Sequence, residues 1–501
     1  MGILKGPLRR HSLVIVALAL CILIVYTCQV LLPLNDRPFP RVLKDVGTRL
    51  KSELGAASGP FSHTPVPNTT ETGSSIKPGL QPQPPKNNGL KDDNTAPESV
   101  LGPDHKPTFD TASSVTAATA TSNSQWAFDT TRDARAYGLT TKQCNAGFPG
   151  LFSEIKRAIA YRKKIGKITL KDTDISWRED GAVRAMIFDQ QSFISQLHPA
   201  LHSESKFGDS IYGSTRALAL LHSIHRSILT SPTPIPNIEF SFSPSDLTDP
   251  DGVGHSIWAL SRTADQEEKW LMSDFGYWSW PVDLVGGYEE IRREMQDTKI
   301  NFQDKIKKVI WRGSVKTNEH RSQLLDVTNG KEWADVKGVD WANETMVKKG
   351  DAGNALSISA HCQYIFVVQT EGHSYSGRGK YLQNCDSVVI IPTPRTWLEP
   401  HHPLLVPSGE NQNFVEVKPD FSDLEEKILP LLADVDKAKR IATSGVQVFR
   451  DRYLTAAAQT CYWRRMFEGW AEVSFEPEGW EALNDGTDGR RVRGVPFETF
   501  A

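Results

Sequence analysis

The sequence predicts an α/β domain built around a parallel sheet, carried behind one apolar span and a long unstructured linker. Three observations predict this. An unbroken apolar run lies near the N-terminus, and a stretch poor in aromatic residues follows it. Beyond that stretch, β-branched apolar runs alternate with segments of helical periodicity.

The first element is LVIVALALCILIVYTCQVLLPL, from Leu13 to Leu34. A bilayer crossing takes roughly 20 apolar residues, so this run is long enough. A cleaved signal would have a shorter apolar core, of about 7–15 residues, ending at a small-residue cleavage site. No convincing site of that kind is present, so a retained anchor is expected, with residues 1–12 as a cytosolic tail. Lys5, Arg9 and Arg10 precede the span, but Arg37, Arg41, Lys44 and Arg49 follow it. The positive-inside rule therefore leaves the orientation open.

Residues 35–125 are rich in Pro, Ser, Thr, Gly and Asn, as in GLQPQPPKNNG and TASSVTAATATSNSQ. Such a segment cannot bury enough apolar area to offset its chain entropy, so a disordered stem is expected. Asn68 and Asn343 stand in N-glycosylation sequons. The chain has 57 basic and 60 acidic residues and a net charge of -3. That balance offers no field for nucleic acid, and no such partner is expected.

From Trp126 the composition turns globular, and one domain is expected over 126–475, in halves of about 126–300 and 301–475. A tail would occupy 476–501. Leu151, Ile155 and Ile159 have helical spacing, and Ile238–Phe242 and Ser256–Leu260 read as strands. After Val309 the pattern becomes regular. VIWRGS, ADVKGV, YIFVVQTEG, SVVIIP and FVEV read as strands. Between and after them, His320–Thr328, Ser376–Asn384, Phe421–Ala433, Val435–Tyr453 and Ala456–Ala471 read as helices. Continuous apolar strands alternating with helices imply a parallel sheet covered on both faces.

Six cysteines occur: Cys21, Cys28, Cys144, Cys362, Cys385 and Cys461. The first two fall in the apolar run. The other four are widely spaced with no C-x-x-C, which argues against a zinc site and allows two disulfides in an oxidising compartment.

The most informative local stretch is Thr370-Glu371-Gly372-His373-Ser374-Tyr375-Ser376-Gly377-Arg378-Gly379-Lys380, between a predicted strand and a predicted helix. Ligands in open α/β sheets bind at such strand ends. Small residues admit a phosphate to the backbone, a helix N-terminus offers free N–H groups, and Arg378 and Lys380 add charge. An ordinary glycine-rich turn with solvated basic residues is the alternative. Trp311-Arg312-Gly313-Ser314 ends another strand, and Arg321 opens the next helix, where it could reach the same diphosphate. Its alternative is a surface cap. Asp246 follows the strand Ile238–Phe242 and could act as a general base or simply cap a turn.

Other patterns carry less. Asp274-Phe275-Gly276 matches a kinase triplet, but no His-Arg-Asp loop accompanies it. Asp172-x-Asp174, Asp249-x-Asp251 and Asp434-x-Asp436 could mimic a metal-binding Asp-x-Asp. His222 and His225 lie on an apolar helix with no third ligand in view, and His401-His402 reads as loop.

Over roughly Cys144 to Trp470, the pieces IPNIEFSFSPSD, WLMSDFGYWSWP, VIWRGS with HRSQLL, AHCQYIFVVQTEGHSYSGRGKYLQNCDSVVI and TCYWRRM occur in that order. In this combination the chain resembles glycosyltransferase family 90, the capsule-associated and protein O-glucosyltransferase group. FGYWSWP is more similar to the fungal branch. The resemblance implies a GT-B-like fold, with two Rossmann-like halves facing a cleft. It also implies inverting, metal-independent transfer of xylose or glucose from a UDP-sugar to a hydroxyl of a glycan or glycoprotein. Asp246 matches the catalytic base. Ser314, Arg321, His373, Ser374, Tyr375, Ser376, Gly377 and Arg378 match the UDP-sugar contacts, and Trp280 and Pro281 fall at the donor-sugar pocket. Lys380 would assist. The related cysteines imply the pairs Cys362–Cys385 and Cys144–Cys461.

The chain departs from the family's animal members in three places. Ser245 stands where they have an Arg before the base, and Gly377 where an aromatic is often found. One residue more separates Ser314 from Arg321. No cofactor is expected beyond the donor UDP-xylose or UDP-glucose. The expected location is the Golgi or endoplasmic reticulum membrane, anchored in the bilayer through 13–34 with the catalytic domain lumenal. The C-terminal FETFA is no retention tetrapeptide, so the anchor would do the retaining. The competing readings are a non-catalytic glycan-binding membrane protein and a metal-dependent Asp-x-Asp transferase.

Overall fold

Strands with no polar face must be covered on both sides, and the second half of the domain shows this directly. A computed structural model describes residues 126–178, 181–197, 210–247, 255–280, 285–297, 300–339, 354–483 and 488–500. The expected cytosolic tail, anchor and stem lie outside the described residues, with Cys21, Cys28 and Asn68. So do Asn343, Pro281, Asp249 and Asp251. Among the described residues, no helix is long and apolar enough to cross a membrane.

The first half holds a mixed sheet. Its strands are β1 (Val183–Phe188), β2 (Gln191–Leu197), β3 (Ile238–Phe242), β4 (Trp258–Ala259) and β5 (Trp270–Leu271). β1 pairs antiparallel with β2 and β3, whereas β3, β4 and β5 run parallel. This half is therefore not purely parallel. A tight reversal at Asp189 and Gln190, both at positive φ, turns β1 straight back into β2. Helices α1 (Ser153–Ile165) and α2 (Ser210–Leu229) belong to this half.

The second half holds a five-stranded parallel sheet. Its strands are β6 (Ile306–Gly313), β7 (Ala334–Gly338), β8 (Tyr364–Val368), β9 (Val388–Pro392) and β10 (Val415–Val417), in the order β10-β9-β8-β6-β7. Side chains alternate along each strand. Val309, Trp311, Phe366, Val368, Val388 and Ile390 fill one core, while Ile310, Val367, Val389 and Ile391 fill another on the opposite face. That is the expected two-sided burial. Helix α3 (Tyr288–Asp297) precedes this sheet. Helices α4 (Glu319–Thr328), α5 (Leu424–Ala433) and α6 (Val435–Val448) belong to it.

Three expectations change. The helix expected over Ser376–Asn384 is only one turn, Gly379–Leu382, because Gly372 to Gly377 form a tight loop instead. The helix expected to Tyr453 keeps α-geometry only to Val448, and Phe449–Tyr453 continues as a wider π-turn. The final helix α7 (Ala456–Val473) packs on the first half rather than the second. Trp463, Phe467 and Trp470 on α7 lie 6.0, 6.2 and 5.5 Å from Trp258 of β4. An aromatic helix face seeks the aromatic sheet face, whatever the chain order.

The segment expected as a tail also returns. A further strand, β11 (Val495–Pro496), pairs antiparallel with β2, and Phe497 is buried in the first core. Arg493 and Arg184 both reach the buried Glu239 of β3, Arg493 through Nη1 at 3.0 Å and Arg184 through Nε at 2.7 Å. A carboxylate so deeply placed needs such partners. Both expected disulfides form. Cys144–Cys461 joins the first helical turns to α7, with Cα atoms 5.6 Å apart. Cys362–Cys385 bridges the start of β8 to the start of β9, with Cα atoms 4.9 Å apart.

Candidate functional site

Two loops from the two halves meet. The first leaves β3 as Ser243–Asp246. Its shape is set locally, since Ser245 N donates to Ser243 Oγ and Leu247 N to Ser245 Oγ, each at 3.2 Å. Short serine turns of this kind compete with regular structure and end a strand. The buried Arg178 adds a bond to Ser243 Oγ at 3.2 Å. The second loop leaves β8 as Thr370–Arg378. Gly372 N donates to Ser374 O at 2.9 Å, and Gln369 Nε2 to Ser376 O at 2.8 Å. Ser374 Oγ then donates to the backbone oxygen of Asp246, which couples the loops directly.

Arg321 and Arg378 converge on one ring. Their Cζ atoms lie 5.7 and 5.5 Å from the centroid of the buried Trp311. Arg321 is fixed by bonds from Nε to Glu371 O at 2.9 Å and from Nη1 to Ser314 O at 3.0 Å. Ser314 and Arg321 are thus neighbours, despite the longer spacing. Arg378 is less engaged. Its Nη1 is buried with no hydrogen-bond partner among the described residues. A Cβ on Gly313 would stand 2.9 Å from Arg378 Nη2 and 2.8 Å from Trp311 Cζ2, so only glycine lets the guanidinium lie there. Burial lowers the Arg321 pKa to about 10. Burial, with the charge of Arg321, lowers that of Arg378 to about 9. Two cations held close out of water favour an anion between or beside them.

The loop's other side chains divide. His373 is exposed, and Ser376 and Arg378 are half-buried. Tyr375 turns inward and donates to Asp274 Oδ2. Burial and the neighbouring Asp274 and Asp246 carboxylates push the Tyr375 hydroxyl well above its usual range, so it stays a donor. Lys380, expected to assist at the diphosphate, is also turned inward. Its Nζ lies 2.8 Å from Asp274 Oδ1 and 2.7 Å from Gly377 O. An ammonium this deeply buried requires a carboxylate, and Asp274 supplies it. Asp274 also accepts Gly276 N at 2.5 Å. The Asp-Phe-Gly triplet is therefore the post on which the loop is hung.

Trp280 explains the glycine at 377. A Cβ there would stand 2.9 Å from Trp280 Cζ3 and 3.2 Å from Lys380 Nζ. The first half thus places an aromatic ring directly against the loop at Gly377. Asp246 is half-buried, and its Oδ1 is 3.0 Å from Arg216 Nη1 of α2. No local signal marks Arg216, which is 30 residues away in sequence. In the sequence Trp311 reads as part of a strand and Asp274 as part of a kinase-like triplet.

Of the Asp-x-Asp candidates, those among the described residues have structural partners. Asp172 pairs with Arg162 at 2.7 Å, Asp174 accepts Ser176 Oγ at 2.6 Å, and Asp434 caps α6 through Lys437 N. His222 stacks on Trp278 at 4.9 Å, and His225 Nδ1 is 3.2 Å from Ser192 Oγ. Among the described residues, no three His, Cys, Asp or Glu side chains gather.

Comparison with known proteins places the chain among the glycosyltransferases. Residues 215–482 match the profile of glycosyl transferase family 90, a range holding every residue just assigned to the site except Arg178. It covers more than half of the 501 residues, and the chain belongs to glycosyl transferase family 90. It is 24% identical over 236 residues to Protein O-glucosyltransferase 1 of Homo sapiens, spanning 43% of this chain and 57% of that one. The Bos taurus protein of the same name is 26% identical over 230 residues, 42% and 55% of the two chains. O-glucosyltransferase LpsA of Dichelobacter nodosus is 26% identical over 136 residues, 26% of this chain and 39% of its own. The chain thus spans just over half the length of the first of these relatives.

Proposed function

We propose that the chain transfers xylose or glucose from UDP-xylose or UDP-glucose to a hydroxyl of a glycan or glycoprotein, with inversion at the anomeric carbon. The observation that carries this reading is the Arg321–Arg378 pair over Trp311, with an unpartnered guanidinium nitrogen, on a loop bonded to the loop of Asp246. The acceptor oxygen attacks the anomeric carbon while its proton passes to Asp246. The bond from that carbon to the diphosphate breaks, and the charge left on UDP falls to Arg321 and Arg378. Trp280 lines the sugar side. In this reading the arginines supply the positive charge that a divalent metal supplies elsewhere, so no metal is required.

A GT-B-like architecture is part of the proposal. Two separate sheets, each with its own helices, and a site drawn from both halves support it. The two disulfides support a lumenal domain in the secretory pathway, in the Golgi or endoplasmic reticulum, since such bonds persist in oxidising compartments.

Saturation-transfer NMR with UDP-xylose and UDP-glucose, followed by transfer assays with and without EDTA, tests this reading. Binding of one donor with EDTA-insensitive transfer is expected. Binding of neither, or activity abolished by EDTA and restored by a divalent ion, would overturn it.

A further inference from the structure

Asp246 sits at the tip of a loop, yet one of its oxygens is already engaged. Arg216 Nη1 lies 3.0 Å from Oδ1, while Oδ2 has no hydrogen-bond partner among the described residues. Arg216 is itself held by more than this contact. It projects from the long helix α2, and its Cζ lies 4.8 Å from the Phe275 ring and 5.8 Å from the Trp280 ring. Its side chain is 17% exposed, and its Nε is buried with no partner among the described residues. A guanidinium stacked on aromatic faces keeps its plane, and so delivers its N–H groups in one direction. The loop of Asp246 is held by its serine turns, by the Arg178 bond to Ser243 and by the Ser374 bond to the Asp246 backbone, all of which leave the carboxylate itself untouched.

Resting on the reading of Asp246 as the base, we infer that Arg216, a guanidinium brought from α2, is the positioning residue of Asp246. It holds Oδ1, and with it the plane of the carboxylate, so that Oδ2 faces the incoming hydroxyl. Because the same side chain rests on Trp280, it couples the base to the donor-sugar side. The reacting atoms are unchanged by this role. The proton still passes from the acceptor oxygen to Asp246, and the bond from the anomeric carbon to UDP still breaks.

A double-substitution cycle on the full chain tests this, with water as acceptor and UDP release from UDP-xylose or UDP-glucose as the signal. Groups that act as a unit are non-additive. Arg216→Ala should lower kcat by about 10-fold or more, with UDP affinity by calorimetry within about twofold. In an Asp246→Asn background, the same change should cost less than about twofold, because there is no longer a base to aim. Arg216→Lys should recover part of the loss, since it restores the charge without the planar fork. An equal loss in both backgrounds would show a merely structural role and overturn the inference. So would wild-type turnover by Arg216→Ala where Asp246→Asn is inactive. Wild-type turnover by Asp246→Asn would instead overturn the reading of the base on which the inference rests.

Discussion

At the scale of residues, the site is governed by where charges are left without a partner. Arg378 has a buried nitrogen with none among the described residues, and its neighbour Arg321 adds a like charge. Removing either cation should weaken UDP binding by about 1.5–3 kcal/mol, the worth of a hydrogen bond to a charged group. Calorimetry with UDP on Arg378→Ala and Arg321→Ala measures this, and unchanged affinity in both would place the nucleotide elsewhere. Much of this site was legible in sequence. Glycine and serine at a strand end, followed by Arg, is a local pattern, and so is an Asp just after a strand. Arg216 and Asp274 were not legible as site residues. Their partners are 30 and 101 positions away, and no short pattern encodes a contact of that range. Lys380 was misread for the same reason, since only the fold brings Asp274 to it.

At the scale of elements, legibility followed length and continuity. β6, β8 and β9 are apolar on both faces, so their runs announced themselves. β4 is the two-residue core of the strand expected over Ser256–Leu260, whereas β5 and β11, also two residues each, are too short for any periodicity to register. The helix expected over Ser376–Asn384 shrinks to the one turn Gly379–Leu382 because, although Lys380 and Leu382 favour helix, the loop's geometry prevails there. The cysteines tie elements that the hydrophobic pattern alone would leave separate. Peptide mapping without reductant should recover crosslinks between Cys144 and Cys461 and between Cys362 and Cys385. Four free thiols in secreted material would contradict both the pairing and the oxidising compartment.

At the scale of the whole molecule, the first half is closed by the chain's last residues. Arg493→Ala would leave the buried Glu239 with Arg184 alone. A broken buried pair costs about 3–5 kcal/mol, but Arg493 is 25% exposed, so roughly 2 kcal/mol is expected after screening. Thermal unfolding reads this out, and an unshifted midpoint would detach the C-terminal segment from the fold. Stability should also fall with acid. Burial holds the His361, His401 and His402 imidazoles down at about 4, each against an ordinary value of 6.5. Below 6.5 the unfolded chain binds protons that the folded chain does not. Their contribution is therefore complete above pH 6.5 and is lost progressively as pH falls towards 4. His361→Gln should flatten that part of the stability profile, and an unchanged slope would show that other groups set it.

The central claim is that Asp246 takes the acceptor's proton while a separate arginine pair holds the nucleotide. The most direct test is Asp246→Asn, assayed for both functions. The side chain keeps its shape but cannot accept the proton. UDP affinity should stay within about twofold of wild type, because the proposed diphosphate ligands are Arg321 and Arg378 and not Asp246. Transfer should fall by roughly 10²–10⁴-fold, the usual worth of a positioned base. Near-normal transfer by this variant, with the donor and acceptor the native protein uses, would contradict the account.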